Sequence, residues 1–475
     1  MDYNTVKITR ASAREGALHT MSDTIAAIAT PAAPAGLGVI RLSGDDALAI
    51  AGQVFRPANP ARAAHRLEGY TAAYGHVYDA EGDIDDCVLL VFRAPHSYTG
   101  EHVAELSCHG GVYLLRRVLR ACLAAGARMA QPGEFTRRAF LSGKMDLTRA
   151  ESVTALIAAD GRLAARTALA AHEGATFRRL QKVKEALLEV EAQFGAYVDY
   201  PDEDIPALQP ETLESVITDA RRTVQGLLDT YDAGRVLREG IDTAIVGCPN
   251  VGKSTLMNAL AGCERSIVTE VAGTTRDVIE DTVRLGEVTL RLADTAGIRH
   301  TEDRIESAGV EKARTRLRQA ALVLAIFDGS RPLNDDDRAL ALEAAATAAV
   351  AVINKADQPE HTDRAFLEQH FSRVVTLSAR QGSGLEALQA AVEEVTGVER
   401  LHTAEPVLTS ERQRDCAFRC LACLEEAAAA LAARITPDAV SVSLRGALSA
   451  ILELTGERTT EAVVDEVFAR FCVGK

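Results

Sequence analysis

The stretch GCPNVGKS at residues 247–254 most narrowly limits how this chain can fold. It fits G-x-x-x-x-G-K-[ST], a loop that works only between the end of a strand and the start of a helix. The apolar run Thr243–Val246 precedes it and a helical pattern, Ser254–Leu260, follows it. Gly247 and Gly252 let the backbone curl so that successive amides face phosphate oxygens, and the helix adds its positive end. Lys253 is placed to reach the β- and γ-phosphates and Ser254 to coordinate magnesium. Asn250, Val251 and Thr255 complete the loop's contacts with nucleotide. The motif therefore demands an α/β domain in the middle of the polypeptide.

Three more motifs follow in order, each at the end of an apolar run. DTAG (294–297) closes Val288–Ala293 and offers Asp294 to magnesium through water, Thr295 and Ala296 to the nucleotide, and the Gly297 amide to the γ-phosphate. NKAD (354–357) ends Ala349–Ile353, bringing Asn354, Lys355 and Asp357 to the base. A carboxylate at Asp357 accepts from the ring N–H and exocyclic amine of guanine; adenine has no such donor pair, so GTP is selected over ATP. SAR (Ser378, Ala379, Arg380) ends Val374–Leu377 and brings a backbone amide to the guanine oxygen. Nucleotides bind at the carboxyl ends of parallel strands, and four motifs at four strand ends imply GTP binding.

A Ras-like enzyme carries glutamine directly after DTAG to orient the attacking water; here that position is Ile298, which cannot hydrogen-bond water. Glu302, Asp303 and Glu306 are the nearby acidic candidates, and spacing does not separate them. VAGTTRD (271–277) supplies Thr275 as a second magnesium ligand, in a loop suited to switching. Asn250 is either a turn-forming asparagine or an oxygen ligand for a monovalent cation.

The 475 residues suggest about three domains. No apolar run approaches the roughly 20 residues that a membrane-spanning helix needs, and the first residues lack an apolar secretion signal. The expected location is the cytoplasm. Residues 1–21 read as a disordered N-terminal extension, with patterned sequence starting near Met21. Nine cysteines show no paired metal-ligand spacing, and Cys416, Cys420 and Cys423 read as a buried helical stripe. The net charge of −15 leaves any nucleic-acid contact to local basic patches, for which Arg116–Arg117, Arg137–Arg138 and Arg178–Arg179 are candidates.

Residues 22–140 mix short β-like runs such as GVIRLSG (38–44) with a helix at Val112–Ala125. Helical patterns fill 141–238 and return in 399–475, on both sides of the nucleotide-binding segment 239–398. Neither helical half is a bundle by itself, so the fold class is α/β plus α: an N-terminal α+β domain, then a helical domain into which a Ras-like P-loop GTPase domain is inserted.

These motifs, with SYTGEHVAELSCHGG (97–111), QPGEFTRRAFLSGKMDL (131–147), YPDEDI (200–205) and the terminal FCVGK (471–475), resemble the MnmE (TrmE) family of tRNA modification GTPases over residues 22–475. The resemblance implies a cytoplasmic homodimer whose N-terminal domain binds a tetrahydrofolate derivative. It implies an FAD-dependent partner, MnmG (GidA), with which carbon 5 of the wobble uridine of certain tRNAs is modified. It also implies potassium-stimulated hydrolysis as two G domains pair across their nucleotides. By residue, it assigns potassium to Asn250, Thr269, Val271 and Thr274, with Thr269 also at the nucleotide. It raises Glu306 to the catalytic glutamate, with Arg276, Asp277 and Arg299 supporting the switches. Folate falls to Arg41, Glu105, Lys144 and Lys475, and Cys472 matches a C-terminal functional thiol. One departure stands out: TPAAPAGLG carries Pro34 where the family has a GRGG-type stretch. The alternative reading is a ribosome-assembly or translation GTPase, but no KH, RRM or zinc-ribbon pattern accompanies the G motifs.

Overall fold

The computed structural model describes residues 23–199, 209–262, 281–292, 317, 320–401, 406–435, 437–469 and 471–474. Its contacts divide the chain into two compact units. One comprises the N-terminal residues to Thr154, Leu180–Thr218 and Arg419 onward; the other comprises Ala155–Arg179 and Asp219–Phe418. The second unit is thus a guest in sequence between parts of the first.

The first unit is built on a seven-stranded sheet ordered β3-β4-β5-β6-β2-β1-β7. Its strands are β1 (Ile25–Ile28), β2 (Ala35–Ser43), β3 (Phe55–Pro57), β4 (Thr71–Asp79), β5 (Gly82–Phe92), β6 (Val103–Gly110) and β7 (Arg128–Met129). All pairs are antiparallel except β1 with β7. Alternation explains the layering: on β4, Ala73 and Val77 are buried while Tyr74 between them is exposed. The inward set packs with residues from the helices Ala47–Val54 and Val112–Ala124, including Leu48, Leu115 and Val118.

In the same unit the helix Glu134–Leu141 meets the C-terminal helix Glu461–Ala469, with Ala139, Leu147, Phe468 and Phe471 sharing one apolar cluster. The long helices Ala175–Asp199 and Pro437–Thr455 are tied by polar bonds. Lys184 Nζ donates to both Glu457 oxygens beyond the second helix (2.8 and 2.9 Å), and Ser441 Oγ donates to Glu191 (3.0 Å).

The second unit carries a six-stranded sheet ordered β13-β12-β11-β8-β10-β9. The strands are β8 (Ile241–Val246), β9 (Asp281–Leu285), β10 (Val288–Leu292), β11 (Leu322–Asp328), β12 (Ala349–Asn354) and β13 (Arg373–Thr376). Only the β9–β10 hairpin is antiparallel. β11 and β12 are buried along their whole length, as expected of parallel strands covered on both faces. Leu324, Ile326, Val350 and Val352 face one core; Val323, Ala325, Ala351 and Ile353 face the other. Residues from outside the nucleotide-binding segment join the first of these cores, among them Ala164, Val236 and Val407.

The helical stretch read over Pro210–Arg238 is two helices, Pro210–Leu228 and Tyr231–Glu239. They part at Thr230, whose hydroxyl donates back to the Leu227 carbonyl (2.7 Å) and accepts from the Leu408 amide (3.4 Å). The cysteine stripe is as read: Cys416 and Cys420 are buried and Cys423 half-buried, all on the helix Glu411–Ala432. No described helix is long and apolar enough to cross a membrane.

Candidate functional site

The phosphate loop leaves β8 at Val246 and enters the helix Lys253–Gly262. Asn250 (φ +63°) and Gly252 (φ +98°) both take left-handed backbone conformations, which turn successive amides inward. A Cβ on Gly247 would lie 2.6 Å from the Ile326 carbonyl, so the loop is pressed against β11. Lys253 Nζ donates to the Gly247 and Cys248 carbonyls (2.8 and 2.9 Å), which holds the ammonium over the loop, and burial pushes its pKa down. Asn250, Ser254 and Thr255 are exposed, and Val251 is buried beneath them. Burial, followed by the Asp337 carboxylate, pushes the Cys248 thiol up to about 12, so it is not a reactive thiolate at neutral pH.

The base-reading loops join the phosphate loop through one side chain. Asn354 is 3% exposed; its Nδ2 donates to the Val251 carbonyl (2.8 Å) and its Oδ1 accepts from the Ala379 amide (3.0 Å). Gly252 allows this approach, since a Cβ there would sit 2.2 Å from Asn354 Nδ2. Asn354 thus binds protein on both sides of its amide and organises the nucleotide site.

Asp357 accepts from Ser378 Oγ (2.6 Å). That bond first, then its own backbone amide, holds the carboxyl below the usual range, so Asp357 is ionised at neutral pH as guanine recognition needs. Lys355 sits at φ +70° and donates to Asp328 Oδ2 (2.6 Å). Asp328, at the end of β11, also accepts from the Ser330 amide and hydroxyl (3.0 and 2.6 Å). Burial works to raise its pKa, but the bonds from Lys355 and Ser330 outweigh burial and hold it low. Arg380 is exposed beside these loops.

Of the other sequence-derived assignments, Thr269, Val271, Thr274, Thr275, Arg276, Asp277, Asp294, Thr295, Ala296, Gly297, Arg299, Glu302, Asp303, Glu306 and Lys475 lie outside the described residues.

In the first unit, Arg41 on β2 stands directly opposite Glu105 on β6, and the register produces a 2.7 Å ion pair. Arg41 Nη1 donates to the Gly474 carbonyl (3.2 Å), and its guanidinium lies 5.7 Å from the centre of the Phe135 ring. The C-terminal tail is therefore part of this site. Gly474 (φ +97°) packs on the Ile28 carbonyl and the Cys472 carbonyl accepts from the Gly133 amide (3.3 Å), while the Cys472 thiol is exposed. Lys144 bonds elsewhere: its ammonium donates to the Pro95 carbonyl.

A mostly buried network, reached from β2 through Ser43, joins the SYTGEH and QPGEFTRR motifs. Ser43 bonds Thr99 and Glu101 (2.7 and 2.6 Å), and Arg138 reaches Asp23, Glu101 and Glu134. Arg138 is 3% exposed, and Arg117 is engaged by Asp79 (2.7 Å), which removes both from the candidate basic surfaces. Arg137 contacts Glu461 and Asp465, whereas Arg116, Arg178 and Arg179 are exposed.

Sequence pattern does not single out Asp328, Phe135 or Gly474. Asp328 had a signal, since LVLAIFD ends on a carboxylate at a strand end beside the phosphate-loop strand. Phe135 and Gly474 reach Arg41 only through tertiary contact.

A mostly parallel sheet with a phosphate loop at the end of β8, tied by Asn354 to the base-reading loops, defines a P-loop guanine-nucleotide-binding protein. The family model described as the MnmE helical domain matches residues 147–472, and that of the GTP-binding protein TrmE N-terminus matches 24–144. The tRNA modification GTPase MnmE of Symbiobacterium thermophilum is 41% identical over 457 residues, covering 95% of this chain and 99% of that protein. That of Chloroflexus aurantiacus is 41% identical over 459 residues, covering 96% and 100%. The chain belongs to the MnmE (TrmE) family of tRNA modification GTPases.

Proposed function

We propose that this chain is a potassium-stimulated GTPase that modifies carbon 5 of the wobble uridine of certain tRNAs. It acts in the cytoplasm as a homodimer with the FAD-dependent MnmG (GidA), using a one-carbon unit from tetrahydrofolate. The carrying observation is the single assembly made by Lys253, Asn354, Asp357 and the Ser378–Arg380 loop, in a chain similar over nearly its full length to tRNA modification GTPases.

The residues fit the groups this reading needs. Lys253 carries positive charge to the phosphates, Asp357 reads guanine, and Ser254, with Thr275, supplies hydroxyl ligands for magnesium. Magnesium would neutralise charge on the β- and γ-phosphates. Asn250 presents an uncharged side-chain oxygen at the exposed rim of the phosphate loop, as a potassium ligand requires, with Thr269, Val271 and Thr274 as the remaining donors. Potassium would offset charge developing on the transferring phosphoryl group. Glu306 is assigned to orient water in the absence of a glutamine at Ile298, with Arg276 and Arg299 supporting the switches.

The Arg41–Glu105 pair, only partly exposed, fits one end of a folate, where the carboxylate suits the pterin's amino and N–H edge with Arg41 beside it; Lys144 and Lys475 suit its glutamate tail. The bound folate would supply the one-carbon unit. Mass spectrometry of tRNA from cells lacking the protein tests the assignment: wobble uridines should lose their carbon-5 substituent, and unchanged modification overturns it.

A further inference from the structure

We propose that Glu287 is a positioning residue that couples the nucleotide-binding domain to the helix Arg162–His172, and through it GTP turnover to tRNA modification; this rests on the function proposed above. The helix starts after Gly161, which has no side chain to accept from the first-turn amides. Glu287 does so from 124 residues away: its Oε2 accepts from the Leu163 amide at 2.8 Å, and its Oε1 lies 3.6 Å from Arg162 Nε. A carboxylate is the favoured charge at that end of a helix.

Glu287 belongs to the two-residue turn between β9 and β10, where Leu285 pairs with Val288. The same hairpin grips the preceding residue twice. Arg284 Nη1 donates to the Asp160 carbonyl (2.8 Å), and Thr289 Oγ1 donates to Asp160 Oδ2 (2.7 Å). Three side chains of one hairpin therefore fix residues 160–163.

The far side of the turn is also held. Gly286 takes φ +63°, and a Cβ on it would lie 2.3 Å from both Gln389 Nε2 and Glu393 Oε1, on the helix Leu385–Val395. The Glu287 amide donates to Glu393 Oε1 (3.2 Å). Beneath, Leu163 and Ala164 pack in one core with Val283, Leu285 and Val288. In sequence, VAGTTRD (271–277) lies just before β9 and DTAG (294–297) just after β10, so this hairpin joins two nucleotide motifs. A hairpin whose strand residues lie in a close-packed core passes a displacement of those strands to whatever it is bonded to.

Glu287→Ala in the full chain is the first test. GTP hydrolysis should stay within about twofold of wild type, while the modified fraction of wobble uridine in cells falls at least about fivefold. The double variant Gly161→Ser/Glu287→Ala gives the helix a cap of its own. It should recover Tm but not modification. Thr289→Val, which keeps the Glu287 cap, should lower modification with hydrolysis preserved.

Recovery of modification together with Tm in the double variant overturns the proposal, because Glu287 is then only a cap. So does a parallel fall of hydrolysis and modification in Glu287→Ala, or normal modification in Glu287→Ala and Thr289→Val. Absence of the modification in wild-type cells would instead sink the function it rests on.

Discussion

The amide of Asn354 faces the phosphate loop with its nitrogen and the Ser378–Arg380 loop with its oxygen. Cutting it to alanine leaves the Val251 carbonyl and the Ala379 amide buried without partners, at about 1–3 kcal/mol each. Asn354→Ala should therefore lower the urea midpoint of the G domain and weaken GTP binding, because the phosphate and base loops lose their common anchor. Asp357 differs in kind, since its carboxylate is aimed at ligand and positioned by Ser378. Asp357→Asn presents a donor where guanine needs an acceptor. GTP affinity in a fluorescent-nucleotide titration should fall by roughly two orders of magnitude or more with Tm little changed. Equal affinities would place guanine recognition elsewhere.

Among the elements, strand ends carried most of the readable information. β11 and β12 are unbroken apolar runs that end in polar residues, and chemistry collects at such ends. The phosphate loop was equally legible, because its glycines and lysine are dictated by local geometry. The Arg41–Glu105 pair came only through family resemblance, since nothing local says that two strands place these residues opposite each other. Contacts such as Glu287 with Leu163 or Arg41 with Gly474 had no local signal at all, being made by residues more than a hundred positions apart. Arg138 fails as a surface marker because Asp23, Glu101 and, one turn earlier on its own helix, Glu134 form a network around it, whereas Arg116, Arg178 and Arg179 are exposed as read. That network carries a pH prediction. Burial works to raise the Glu134 pKa, but hydrogen bonds from Arg128 and the Gln131 amide and the charge of Arg138 hold it below the usual range. A carboxyl lowered on folding contributes stability above its unfolded value, and this is lost as pH falls through its folded value. Through Glu134, melting of the N-terminal sheet, followed by tyrosine circular dichroism, should thus not vary with pH near neutrality and should fall below about pH 4.3. Glu134→Gln should melt lower at pH 7 and show a shallower acid slope.

For the whole molecule, hydrolysis in the proposed function depends on two copies and a cation, and Asn250 lets both be tested. Its left-handed backbone, φ +63°, is one that asparagine and glycine tolerate and alanine resists. Asn250→Ala would therefore mix strain with loss of the side-chain oxygen. Asn250→Gly removes the oxygen and keeps the backbone freedom, which isolates the ligand. In the wild-type chain, specific GTPase activity should rise with protein concentration and be at least about tenfold higher in potassium than in sodium. The glycine variant should bind GTP normally and hydrolyse it at one low rate in either salt. If that variant still prefers potassium, the preference comes from groups other than Asn250. If wild type shows no preference and no concentration dependence, each copy hydrolyses GTP alone, and the water must be activated within one chain.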